Sequence, residues 1–253
     1  MDNFDKAIFD FILIHADNSL ILGQRLGEWC GHGPVLEQDI ALTNIALDYI
    51  GRARLLYQLA AKIENNNRTE DDLAFLRDVM DFKNVLLVEQ ENVDFAYTIV
   101  RQFFLEAFNH PFFSHLINSQ NVNLSEIAQK SIKETTYHLR WCSEWIIRLG
   151  DGTELSHNKV QTAVNNLWTY TQELFKPIES EIEMTKQGIC PDLQLIYTIW
   201  NETIDRIFLE ATLIKPDSVW MQNGGKSGVH SEHLGFILSD LQFMQRAYPG
   251  LEW

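Results

Sequence analysis

The sequence predicts an all-α fold, a bundle of long antiparallel helices with additional helices toward the C-terminus. Two observations carry this. Apolar residues recur at steps of three and four rather than in alternation, and Gly and Pro gather between the periodic stretches. The first stripe is Ile8, Phe11, Ile12, Leu22, Leu26 and Trp29, ended by Gly31-His32-Gly33-Pro34. The second runs Leu42, Ile45, Ala46, Tyr49, Ile50, Ala53, Leu56 and Ala60, up to Asn65-Asn66-Asn67. Val85-Leu86-Leu87-Val88 is too short to separate a strand from a packed turn. The clearest stripe is Ala96, Ile99, Val100, Phe103, Phe104, Ala107, Phe108 and Phe112, with Pro111 read as a break beside His110. The next, Leu124 through Leu149, ends at Gly150-Asp151-Gly152. One further helix is expected from Val160 to Ile178, then another over Leu193, Ile196, Tyr197, Trp200, Ile204, Ile207, Phe208 and Ala211. Leu234, Ile237, Leu238, Leu241 and Met244 close the chain. Helices of 20 to 30 residues joined by short connections predict antiparallel neighbours in one domain over 1–253.

Charge narrows the function. Twenty Lys and Arg against 35 Asp and Glu leave a net −15. Neutralising phosphates needs a basic face, so nucleic acid is not an expected partner. No apolar run approaches the ~20 residues that span a bilayer. Met1-Asp2-Asn3-Phe4-Asp5 lacks the basic start of a signal peptide, so a cytoplasmic location is expected. Cys30, Cys142 and Cys190 have neither disulfide-framework nor zinc spacing. Gly225-Lys226-Ser227 resembles the end of a phosphate loop, but Trp220 stands where its first Gly belongs.

Long helical bundles invite a search for a di-iron carboxylate site, which takes Glu-x-x-His pairs from two helices and a Glu from each of two more. The one Glu-x-x-His, Glu154 to His157, falls at a helix start. Looser pairs at four-residue spacing are Glu28/His32, Glu106/His110 and Glu134/His138. Asp48 has Gly51 where a paired His would stand. The full ligand set is missing, so Asp48, Glu106, Glu134 and His138 are at most a vestigial site. The other polar concentration is Lys226, His230, Glu232 and His233, beside a Gly-rich loop and a helix start whose free N–H groups suit an anion. These four are candidates for partner or substrate-entry contact. The alternative is a plain helix cap by Glu232, with histidines filling the first turn.

Arg25-Leu-Gly-Glu-Trp-Cys-Gly-His-Gly-Pro34, Leu47-Asp-Tyr-Ile-Gly-Arg-Ala-Arg54, Leu86-Leu-Val-Glu-Gln90, Lys133-Glu-Thr-Thr-Tyr-His-Leu-Arg140 and Gly224-Gly-Lys-Ser-Gly-Val-His-Ser-Glu-His-Leu-Gly235 resemble one family end to end. It is the C-subunit family of the multicomponent phenylacetyl-CoA 1,2-epoxidase. The resemblance implies a ferritin-like bundle and a place in aerobic phenylacetate catabolism. It further implies a non-catalytic structural subunit with no cofactor of its own. Di-iron is then expected in a related catalytic A subunit, and FAD and iron–sulfur in a reductase subunit. The implied partners are the A subunit, the reductase and the small subunits of the complex. The competing expectation is a free-standing di-iron oxygenase or iron-binding ferritin-like protein, using Glu106, Glu134 and His138 with Asp48 or Glu28.

Overall fold

The computed structural model describes residues 1–217 and 220–251. Among them the chain is all-α, with no strand, in keeping with the ferritin-like class. It forms two compact units: Met1–Glu91 with Ile178–Met184 and the chain from Gly224 onward, and Asn92–Pro177 with Thr185–Asn223. No described helix is long and apolar enough to cross a membrane.

In the first unit, α1 (Asn3–Gly27) and α2 (Leu36–Glu64) pack along each other. Asp17 of α1 meets Tyr57 of α2, while Gly23 lies against Ala46, Tyr49 and Ile50, so the two helices run antiparallel. The Asp2 side chain caps α1, and Asn65 ends α2 with φ 52°, a left-handed conformation that Asn tolerates. α3 (Glu70–Phe75) and the single turn α4 (Leu86–Glu89) follow. The ambiguous Val85–Val88 segment is therefore the start of a buried helical turn. α10 (Glu232–Ala247) packs against α1, α3 and α4.

In the second unit, α5 (Phe95–Leu116) contacts α6 (Val122–Gly150), α7 (Glu154–Leu167) and α9 (Leu193–Glu210). α8 (Glu179–Lys186) begins in the first unit. Asp94, Asn121, Thr153 and Asp192 cap α5, α6, α7 and α9 through their side chains. Phe104, Trp168, Trp200 and Phe208 form an aromatic core with centroids 5.6–6.3 Å apart among the contacting pairs.

Two helix boundaries differ from the sequence reading. Pro111 lies inside α5, which continues to Leu116. Proline removes one N–H there, but the buried Phe112, Phe113 and Leu116 hold the final turn in place. The expected helix from Val160 to Ile178 instead stops at Leu167 and gives way to short 3₁₀ turns at Trp168–Tyr170 and Gln172–Phe175. Leu174 still reaches the core, so the apolar spacing survives a change of backbone.

Candidate functional site

α5 is buried on nearly every face, including its polar residues Arg101, Gln102, Glu106 and Asn109. Glu106 is fully buried, and so is His138 of α6. His138 Nδ1 lies 3.0 Å from Glu106 Oε1, and Gln102 Nε2 donates to the same oxygen at 2.8 Å. This partner of His138 comes from another helix, 32 positions away, whereas four-residue spacing pointed to Glu134, which is half-buried. Burial pushes the Cys142 thiol well above its ordinary range, and the Glu106 charge adds to that, so this thiol stays protonated. Burial also lowers His110, against the opposing pull of Glu106.

Asp48 is half-buried on α2, in the first unit. Glu28 pairs with Arg25 at 2.9 Å, while His32 is exposed in the turn after α1. Glu154 sits exposed at the start of α7, and His157 Nδ1 approaches the Gly150 carbonyl at 2.8 Å. Among the described residues no three His, Cys, Asp or Glu side chains converge as a metal ion would require. Glu106 and His138 by themselves supply two of the several donors that a di-iron centre takes.

The C-terminal cluster divides. Lys226 is buried, and its Nζ donates to both carboxylate oxygens of Glu181 at 2.9 and 3.1 Å. The His230 side chain is buried too, with Nδ1 2.6 Å from Glu89 Oε1 and Nε2 2.8 Å from the Phe82 carbonyl. Neither side chain of these two contact candidates reaches the surface of this chain. Glu232 is exposed and His233 half-buried, 3.8 Å from Glu91. Glu232 does not cap α10. The N-cap is Ser231, whose N–H and hydroxyl donate to Glu89 Oε2 at 2.9 and 2.6 Å. The anion expected at this helix start is the chain's own Glu89 carboxylate. The glycines have a packing reason: a Cβ at Gly225 would overlap the Asn84 carbonyl, and one at Gly228, where φ is +81°, the Met80 carbonyl.

The whole chain, residues 1–253, matches the family model PaaA_PaaC, described as "Phenylacetic acid catabolic protein". The chain belongs to that family. A relative from Escherichia coli (strain K12), the C subunit of 1,2-phenylacetyl-CoA epoxidase, is 46% identical over 237 residues, covering 94% of this chain and 95% of that protein.

In this phenylacetic acid catabolic protein the most elaborate polar centre is one that spacing arguments missed. Asp17 of α1 is fully buried and accepts from Tyr57 Oη at 2.5 Å, the Lys83 N–H at 2.8 Å and both terminal nitrogens of Arg77. The Arg77 guanidinium also lies 4.2 Å from the centre of the Phe82 ring. Burial, then Asp17, pushes the Tyr57 hydroxyl well above its usual range, so it remains a donor. His15, two residues earlier, is lowered to about 3 by burial and by the Lys226 and Arg52 cations, and is neutral at physiological pH. The available cue was local: His15, Asp17, Asn18 and Ser19 interrupt a run that is apolar on every other side.

Glu89 is the second such centre. Besides His230 and Ser231 it accepts from Asn84 Nδ2 at 2.9 Å, while its backbone carbonyl takes Arg25 Nε and Nη2 at 3.0 and 2.7 Å. Burial works to lower the His230 pKa, but the Glu89 hydrogen bond and charge, with the Phe82 carbonyl and Asp17, raise it overall. A raised folded-state pKa means that protonation favours the fold. The contribution is complete below the ordinary histidine value near 6.5 and is lost as pH rises through the raised one. Wild-type stability should therefore fall from neutral to mildly alkaline pH, and His230→Gln should flatten that slope. Urea midpoints across the range check this; an identical slope in the variant would contradict it.

Proposed function

We propose that this chain is a non-catalytic structural subunit of a phenylacetyl-CoA epoxidase in aerobic phenylacetate catabolism, stabilising and positioning a separate di-iron subunit. The observation that carries the reading is the Glu106–His138 pair. The buried carboxylate and imidazole best suited to hold iron bond each other across two helices, with Gln102 on the same carboxylate oxygen. Iron at a bundle site needs several carboxylates and imidazoles aimed at one point. The E. coli relative, itself one subunit of an epoxidase, supports membership of a multi-subunit enzyme. On this reading the di-iron belongs to the catalytic A subunit, and FAD and iron–sulfur to the reductase. The complex, with its small subunits, works in the cytoplasm.

The test is iron content and turnover. Purified alone, loaded with ferrous iron and dialysed, the chain should retain no stoichiometric iron. With any reductase it should not consume phenylacetyl-CoA, while co-expression with the catalytic subunit should give a stable heteromer. Retained iron with turnover by the chain alone would establish the free-standing oxygenase instead.

A further inference from the structure

The α2 helix leaves one face open. Leu36, Ile40, Leu47 and Ile50 are 70%, 51%, 61% and 42% exposed, with Thr43 between them, at steps of four, three, four and three. This is the spacing by which one helix seats against another, sustained over about 21 Å of helix axis. Scattered exposed apolar residues are ordinary, but a continuous stripe of four marks an interface. A second observation falls on the same face. Gly51 is interior to the helix, where glycine is unfavourable relative to alanine, yet a Cβ there would meet nothing within 4 Å. Nothing among the described residues requires glycine at that position. A helix from another chain, approaching closely beside Leu47 and Ile50, does, because interaxial distance is set by the side chains at the crossing.

Charge selects the occupant. Along the stripe, Leu36 to Ile50, the helix carries Glu37, Asp39 and Asp48, and the exposed cation one turn on, Arg54, is paired with Glu70 at 3.4 Å. Two copies of a chain of net −15 would set acidic edge against acidic edge. We infer that the Leu36–Ile50 face of α2 docks an amphipathic helix of a different chain, one whose apolar stripe is edged by Lys or Arg, with Gly51 at the closest approach. The inference rests on the reading of this chain as one subunit of a heteromer.

The experiment compares full-length wild type, Gly51→Trp, Leu47→Asp and Gly51→Ala, with Phe236→Asp on the exposed face of α10 as control, each co-expressed with the catalytic subunit. Gly51→Trp and Leu47→Asp should weaken association at least about tenfold by titration, with the thermal midpoint of the isolated chain unchanged. Gly51→Ala should raise that midpoint, and Phe236→Asp should associate like wild type. Wild-type association that survives both face variants would overturn the assignment of the face and leave the subunit reading standing. No wild-type association would overturn both. A homodimer of the isolated chain that Leu47→Asp disperses would make the occupant a second copy, against the inference.

Discussion

Replacing Arg77 with methionine is expected to cost about 3–5 kcal/mol, the penalty for leaving a buried charge without its partner. Asp17 is fully buried and Arg77 nearly so. The variant removes two donors to the carboxylate as well as the bonds that Arg77 makes to the Leu73 and Asp81 carbonyls at 2.5 and 3.0 Å. Tyr57 and the Lys83 N–H remain, which do not balance a full negative charge. Equilibrium urea denaturation measures the loss. Adding Asp17→Asn to the variant should recover part of it, since the two effects act through one pair. A loss under about 1 kcal/mol, the usual size for an exposed ion pair, would show that the centre is not the support described here.

In the second unit the largest effect is expected at Trp200. It is fully buried, its Nε1 donates to the Phe104 carbonyl at 2.9 Å, and its ring meets Phe104, Trp168, Phe175 and Tyr197. Trp200→Ala should destabilise by about 3–5 kcal/mol through lost burial and the cavity left behind. Trp200→Phe should cost less, because most of the ring contact survives and the hydrogen bond does not. Equal losses in the two variants would place the stabilisation in the hydrogen bond and contradict this packing account.

These two centres differ in how far the sequence announces them. Trp200 lies on a stripe at helical spacing, and the apolar pattern alone puts it in the core. Asp17 does not, because an acidic side chain inside an apolar run is resolved only by a partner 60 residues on. Glu106 and His138 show the same limit. Four-residue arithmetic offered each a neighbour on its own helix, whereas packing α5 against α6 brought the two to each other. Lys226 and His230 read as contact candidates because charged groups and glycines crowd beside a helix start. Glu181 and Glu89 come from distant segments and draw both side chains inward. Helix type and order followed from local spacing. The pairing of buried charges needed the third dimension.

The central claim is that the Glu106–His138 pair is structural. Its most direct test is phenylacetyl-CoA turnover by the assembled epoxidase carrying Glu106→Gln in this chain and wild type in every other subunit. Glutamine keeps an oxygen for His138 and removes the charge that iron would need. Turnover within about threefold of wild type, at equal complex concentration, is the predicted result. A loss of about a hundredfold with the complex intact would place Glu106 in the chemistry and contradict the account.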